Sequence, residues 1–599
     1  MSLSIENARS LRPNRPFHLP PPAQPVNSAV TLVLEGSTDQ PEVIMTDVRR
    51  NYSWRLSMDS LGDTRWSAEV RLPMRPTIVS YHFEIGGQRI MELRQKEGRN
   101  RPIYGEWIEQ PYKIAVFDPK RMPAEWTHGM LMYLIFPDRF NRSDPARALS
   151  HPGVYGHTAL FKQWNETPEA PPLGRDFFGG DLRGITQKLD YIKELGIECL
   201  YLNPIFEAPT NHRYEAINFM KIDPMLGTEA DFEELVQEAH RRGIKIVLDA
   251  VFNHCSSDSI YFDITGKHGK DDGIQGAAQS KESPYYRWFN FSQWPNAYDG
   301  WLGFGFMPEF VECPEMEDYF VGGSQSVTAY WLEKGIDGWR ADVPFDNTDE
   351  FWKRFRRSVD KVKPGAYTIA EDWTDATGYL LGDMFNATMN YRLAWAVRGL
   401  LATDNLRPSE LDDRLQVWMR DTPGPAIKSQ MNLVDSHDTD RLMTVCGGDA
   451  RKFRQVYAFL LSYPGAPLIY YGSETGLQGA YAEDGRRPMP WDDLNQDLLG
   501  FFKHLINVRN ASTALRLGEV ETLVVDDAQR VYAFARYSSD ETVYAVFNAS
   551  EHTAMVRVPL RDEGGTYRDM LNRKPDVDSR EGLLHLQLPP RGMAWYRRV

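Results

Sequence analysis

Four apolar runs in this chain end in carboxylates or histidines. Ile244 to Leu248 leads into Asp249-Ala250-Val251-Phe252-Asn253-His254, and Gly338-Trp339 into Arg340-Ala341-Asp342. Tyr367 to Ala370 leads into Glu371-Asp372-Trp373, and Met431 to Val434 into Asp435-Ser436-His437-Asp438. In a strand, Arg340 and Asp342 lie two residues apart and share a face. A guanidinium there lowers the pKa of the carboxylate and keeps it ionised, as a nucleophile requires, provided burial does not raise the pKa by more. Taken alone, a structural ion pair at a strand end explains the two residues equally well. Four such strand ends together mark the active face of a parallel α/β sheet. Two carboxylates on that face suit acetal hydrolysis, in which one protonates the leaving oxygen and the other meets the oxocarbenium-like carbon.

The positioning elements are legible around these runs. Thr228-Glu229-Ala230-Asp231, followed by Phe232, Leu235, Val236 and Ala239, predicts a capped amphipathic helix that Gly243 stops. Gly184 to Leu195, with Ile185, Leu189, Ile192 and Leu195 on one face, predicts a second helix before the strand Cys199 to Leu202. Repeated αβ units of this length imply a parallel sheet. Residues 1–124 instead show short alternating runs, such as Val30 to Leu34 and Ile78 to Ile85, that predict a β-sandwich behind an irregular Pro13 to Pro25 lead-in. Residues 511–599 alternate in the same way. Between about 255 and 311 the repeat lapses into a segment rich in aromatics, among them Tyr285, Trp288, Phe289, Trp301, Phe304 and Phe306. Aromatic faces pack on the C–H faces of sugar rings, although core packing accounts for any one of them as well.

Composition narrows the class. The 599 residues exceed one core, and 42% hydrophobic with 12% aromatic content describes a packed globular chain. A net charge of -15, from 68 basic and 83 acidic residues, gives no basic footprint for nucleic acid or an anionic membrane. Met1 to Arg9 lack the pattern of a signal peptide, no run suits a bilayer, and the expected location is the cytoplasm. Cys199, Cys255, Cys313 and Cys446 show neither disulfide nor zinc spacing, and Cys255, next to the proposed site, is expected to be a buried free thiol.

The four strand-end stretches, in this order and spacing, resemble the four signature regions of the α-amylase superfamily, glycoside hydrolase family 13. Tyr133 to Phe140 and Leu202 to Phe206 resemble its neopullulanase, cyclomaltodextrinase and maltogenic amylase branch. The resemblance implies an α/β fold: a (β/α)8 TIM barrel over residues 125–510, with a small domain inserted after strand 3 and a β-sandwich at either end. It implies Asp342 as nucleophile, Glu371 as acid/base and Asp438 as the third acid. Tyr214 would stack under the sugar, with His254, His437, Arg340 and Trp373 also contacting substrate and Asp249 and Asn253 in support. Glu371, beside Asp372 and Trp373, is expected to hold its proton through like charge and partial burial. The N-terminal sandwich, starch-binding-like in the branch, implies a homodimer.

Departures from the pattern bear on substrate and metal. Glu215-Ala216 stands where the branch has Asp-Thr, Ala341 and Ala370 replace Leu and Gly, and Met307-Pro308-Glu309-Phe310 is an imperfect fifth region. Of the family's Ca²⁺ ligands, Asp144 and Asp181 remain, while Arg142, Arg147 and Ala148 occupy other positions. A guanidinium can replace the cation's charge, so the expectation is a weak or lost calcium site and no required cofactor. The activity implied is retaining hydrolysis of α-1,4 bonds in maltooligosaccharides, cyclodextrins or pullulan. The alternatives are a glucanotransferase on the same machinery or an inactive carbohydrate-binding protein.

Overall fold

The αβ repeats predicted from about residue 125 build one closed parallel barrel. The computed structural model describes residues 16–98, 101–269, 273–480, 482–572 and 574–599. The leader reading of Met1 to Arg9 and the first residues of the Pro13 to Pro25 lead-in lie outside them. The barrel strands are β1 (Met132–Ile135), β2 (Cys199–Leu202), β3 (Lys245–Ala250), β4 (Gly338–Ala341), β5 (Tyr367–Ala370), β6 (Ala387–Thr388), β7 (Met431–Asn432) and β8 (Ala466–Tyr470). Their hydrogen-bonded order is β6-β5-β4-β3-β2-β1-β8-β7, and a parallel bridge between Met389 and Met431 joins the two ends. Strands buried on both faces read as continuous apolar runs, and β1, β2, β4, β5 and β8 are buried at every position. Gly338 opens β4 because a Cβ there would lie 2.2 Å from the carbonyl oxygen of Tyr367 on β5.

The helices follow their sequence signals with one exception. Helix α1 (Glu229–Arg241) carries the Thr228/Asp231 capping box and buries Phe232, Leu235, Val236 and Ala239 against the barrel. The single helix expected over Gly184 to Leu195 is two, Leu182–Gln187 and Leu189–Glu194. They part at Lys188 (φ −102°, ψ 5°), whose ammonium lies 3.9 Å from the centre of the Trp491 ring. The apolar face survives the break, with Ile185, Leu189, Ile192 and Leu195 all buried.

Two sheets form the N-terminal sandwich. Ala29–Glu35 pairs with Arg65–Arg71 in one, and Thr77–Ile85 lies between Tyr112–Phe117 and Glu42–Asp47 in the other. Leu32 and Leu34 face Val43, Met45, Val79, Tyr81 and Phe83 across the core. The C-terminal six-stranded sheet starts at Glu519–Asp526, after a short helix at Thr513–Leu517, and is faced by the pair Ala554–Pro559 and Leu583–Leu588. The aromatic segment after β3 packs mostly on itself: Trp288 and Phe289 are buried, and Tyr261 stacks on Trp288 with ring centres 5.6 Å apart. Phe304 stays 46% exposed at its tip. Among the described residues, no helix is long and apolar enough to cross a membrane.

Candidate active site

The register of the barrel brings the strand-end residues together. In parallel ladders Asp249 of β3 pairs with Arg340 of β4, and Ala341 pairs with Ala370 of β5. Asp342 and Glu371 therefore leave adjacent strands side by side, the Glu371 N–H donating to Ala341 O at 3.0 Å. Arg340, fully buried, is the hub. Its Nη1 donates at 2.7 Å to both Asp249 Oδ1 and Asp342 Oδ1, and its Nη2 lies 2.9 Å from Glu371 Oε2. The Val343 N–H reaches Glu371 Oε2 at 3.3 Å from a left-handed backbone (φ 34°), an uncommon conformation for a β-branched residue that persists only where its surroundings impose it. Trp373 Nε1 donates to the other oxygen, Oε1, at 3.0 Å.

This arrangement corrects one expectation. The guanidinium was expected to prevail over burial at Asp342. Instead burial pushes the Asp342 carboxyl well up, against Arg340 and with the help of the Glu371 and Asp249 charges. The reason is stoichiometric: three carboxylates divide one guanidinium, so the cluster retains a proton. Burial, followed by the Glu371 charge, likewise pushes Asp438 up to about 7. Asp372, expected to press on Glu371, accepts from the Thr374 N–H and hydroxyl at 2.8 and 2.9 Å.

The remaining sequence-predicted residues converge on the same cluster. The Tyr214 hydroxyl donates to Asp249 Oδ2 at 2.9 Å and meets His437 Nε2 at 2.6 Å, and the two rings lie parallel with centres 5.6 Å apart. His437 Nε2 also lies 3.0 Å from Asp438 Oδ2. His254 is buried with Trp301 stacked on it at 5.0 Å, and its ring faces the backbone of Tyr214. Burial lowers His254 to about 4, while burial, Arg486 and Arg340 lower His437 further, so both rings are neutral near pH 7. A neutral imidazole can accept a hydrogen bond at one nitrogen and donate from the other. Asn253 is buried behind it, and its carbonyl accepts from Phe310 N–H at 2.8 Å. The fifth-region stretch folds back on this strand end through an antiparallel bridge between His254 and Glu309. The Trp373 ring rests on Tyr391 with centres 4.1 Å apart.

Three further residues, which the sequence reading gave no role, join the site. Arg486 Nε donates to His437 O at 3.0 Å, and its Nη2 lies 3.6 Å from Asp438 Oδ1. Its segment is placed by the buried Arg139, which pairs with Asp138, Asp176 and Glu483 at 2.8, 3.4 and 2.8 Å. Asn203 donates to the Tyr214 hydroxyl at 3.0 Å, and the Tyr391 hydroxyl meets Ser436 Oγ at 3.1 Å. Asn203 directly follows the Leu202 strand end, inside the stretch Leu202 to Phe206 that resembles the family branch, and both were available cues.

At the positions that the family resemblance marks for Ca²⁺, Arg147 turns its guanidinium onto backbone carbonyls and a carboxylate. Arg147 Nη2 donates to Met225 O at 3.1 Å and Gly179 O at 3.3 Å, and lies 3.3 Å from Asp181 Oδ2. Asp181 Oδ1 meanwhile caps the following helix at Gly184 N–H, 2.6 Å away.

Residues 134–513 match the family described as alpha amylase, catalytic domain, and residues 520–595 the maltogenic amylase C-terminal domain. The chain is 37% identical over 478 residues to neopullulanase 2 of Thermoactinomyces vulgaris, covering 78% of this chain and 77% of that protein. It is 35% identical over 542 residues to an amylopullulanase of Thermoanaerobacter thermohydrosulfuricus, where 78% of this chain spans only 36% of the longer relative. A solved cyclomaltodextrinase structure superimposes with a TM-score of 0.73 at 27% identity, over 97% of this chain and 99% of that one. With four strand-end motifs gathered on one barrel face and a family match across that barrel, the chain belongs to the α-amylase family of glycoside hydrolases.

Proposed function

We propose that the protein is a retaining α-glucan hydrolase that cleaves α-1,4 bonds in maltooligosaccharides, cyclodextrins or pullulan. The observation that carries this reading is the adjacency of Asp342 and Glu371 at the ends of β4 and β5, on a shared guanidinium. In the reacting form the cluster's proton sits on Glu371 and Asp342 is ionised against Arg340; Asp342 attacks the anomeric carbon as Glu371 protonates the leaving oxygen, so the glycosidic C–O bond breaks as an ester forms. Water then loses a proton to Glu371 and attacks the same carbon, releasing Asp342. Ionised Asp438, with His437 and His254, holds the hydroxyls of the distorted sugar and offsets its positive charge.

The neutral imidazoles and the Tyr214 ring supply the hydroxyl and stacking contacts that a glucosyl unit needs, and the charge balance of the chain is indifferent to a neutral substrate. The reading includes a structure held without calcium, with Arg147 in the place of the ion. By resemblance to the branch, it also includes a cytoplasmic location and a homodimer through residues 1–124. Gel filtration and cell fractionation test these last two. The test of mechanism is a product time course on maltotriose, β-cyclodextrin and pullulan for wild type and Glu371→Gln. Cleavage of at least one substrate, with a loss of about 10²–10⁴-fold in the variant, is expected. A wild type inert on all three sinks the reading, and products longer than maltotriose show transfer in place of hydrolysis.

A further inference from the structure

Two residues near the Tyr214 ring hold a left-handed backbone. Arg213 (φ 64°) precedes Tyr214 directly, and Tyr155 (φ 46°) sits in the long connection between β1 and β2. Neither is glycine, and such a conformation persists only where surrounding contacts over-determine it. For Arg213 the contacts are a buried guanidinium held by Asp223 Oδ2 and Asn211 O at 2.7 and 2.6 Å. For Tyr155 they gather on the hydroxyl. It lies 3.4 Å from Glu215 Oε1, 3.1 Å from Ser256 Oγ and 3.3 Å from Phe306 O, and its ring packs on Phe306 with centres 4.9 Å apart. One phenol thus joins three segments: the turn that carries Tyr214, the residues just after His254, and the end of the aromatic insertion.

Glu215 completes the joint. It is fully buried, its Oε2 accepts from Thr210 Oγ1 at 3.0 Å, and His212 Nδ1 lies 3.4 Å from the same oxygen. His212 brings no charge near pH 7, because burial lowers it to about 3. Asp258 and Cys255 lie on the Tyr155 side, and the adjacent Arg213 guanidinium is turned to Asp223. With no cation turned toward it, burial pushes the Glu215 carboxyl up to about 7. An aspartate, the branch's residue here, is one methylene shorter and cannot hold both Thr210 and Tyr155 from the same backbone.

We propose that Tyr155 and Glu215 are positioning residues that bolt the β1–β2 connection and the aromatic insertion to the turn holding Tyr214, fixing the wall on which the sugar stacks. The proposal rests on the glucan-hydrolase reading of the cleft. The Tyr214 hydroxyl is already committed to Asp249 and His437, so its ring transmits any loosening of the bolt to substrate binding before it touches proton transfer. Loss of an interaction made equally in the ground and transition states raises KM with little change in kcat.

The experiment compares Tyr155→Phe, Glu215→Asp and Glu215→Gln in kinetics with maltotriose and in thermal melting. Tyr155→Phe and Glu215→Asp are expected to raise KM about tenfold with kcat within about twofold, whereas Glu215→Gln, which keeps the reach of the side chain, retains the wild-type KM. In melting the sign is fixed by linkage. Native Glu215 keeps its proton to about 7 and the unfolded residue releases it near 4.5, so the unfolded state binds fewer protons in between and stability falls as pH rises. Wild type should therefore lose more Tm than Glu215→Gln between about pH 5 and about pH 8. Wild-type KM in both Tyr155→Phe and Glu215→Asp overturns the proposal, and parallel Tm curves for wild type and Glu215→Gln overturn the buried protonated state of Glu215. If wild type cleaves no glucan the functional reading falls, and the bolt is then decided by Tm at one pH: a loss in Tyr155→Phe and Glu215→Asp with Glu215→Gln near wild type supports it, and an unchanged Tm in both of the first two overturns it.

Discussion

Asp438 shows how one residue in this site serves activity at the expense of stability. It faces Arg486 and His437 at 3.6 and 3.0 Å, yet burial and the charge on Glu371 push it up to about 7. Its unfolded counterpart ionises near 3.8, so across that window the native state holds the extra proton and this group's contribution to stability declines as pH rises. Asp438→Asn removes the titration. Its Tm relative to wild type should rise between about pH 5 and about pH 8, and melting curves at the two values check this. The charge on Asp438 also helps raise Asp342, so the variant should shift the acidic limb of kcat/KM to lower pH while kcat falls about 10²–10³-fold. An unmoved acidic limb would show that Asp342 does not sense Asp438. At this scale the catalytic candidates were legible in the sequence, because each lies within four residues of the end of an apolar run. Arg486 was not: it follows no strand end, and its segment is brought to the cleft by the buried Arg139, which pairs with Glu483, and by Arg441 and Tyr471, which donate to Gly485 O and Arg487 O at 2.8 and 2.7 Å.

The Asp181-capped helix shows what a sequence discloses of an element and what it withholds. Arg142, Arg147 and Ala148 at ligand positions signalled a changed cation site, but not which guanidinium would fill it. The fold assigns Arg147, because Gly179 O, Met225 O and the Asp181 carboxylate converge on its Nη2, while Arg142 turns to the backbone of Asp144 and Arg147. On the proposed reading this guanidinium takes the place of a divalent ion. Wild-type Tm should therefore be the same in excess Ca²⁺ and in chelator, and a calcium-dependent rise would refute the substitution. Arg147→Ala leaves two carbonyls and a capping carboxylate short of a donor, at a cost of about 1–3 kcal/mol that a denaturant titration can measure. The break at Lys188 was illegible for a different reason. Its partner, Trp491, lies far along the chain, and helical periodicity continues across the gap in Ile185, Leu189 and Ile192.

The N-terminal sandwich is joined to the barrel by buried charge, which makes the whole molecule rather than the barrel the unit of stability. Arg94, 5% exposed, pairs with Glu92 at 2.6 Å and with Asp421 at 2.9 Å, at the C-terminal end of the barrel helix Pro408–Asp421. Arg420 closes on Glu92 at 2.5 Å, and Lys113 reaches both Asp421 and Asp375. Burial works against the charge on Asp421, but Lys113, Arg420 and Arg94 outweigh it and hold the carboxyl down at about 2. The stability this provides is present above the unfolded value of 3.8 and is lost as pH falls toward 2. Desolvating such a network is costly, so the intact network adds little net energy, whereas removing one member strands its partners. Arg94→Met should then cost about 3–5 kcal/mol and split thermal unfolding into two transitions, the sandwich melting before the barrel. Asp375 lies two residues from Trp373, which donates to Glu371, so the loosened interface also reaches the acid/base. Calorimetry of wild type and Arg94→Met, with activity assayed between the two transitions, decides the matter. A single transition at the wild-type Tm would mean that the two domains are neighbours in space and independent in energy.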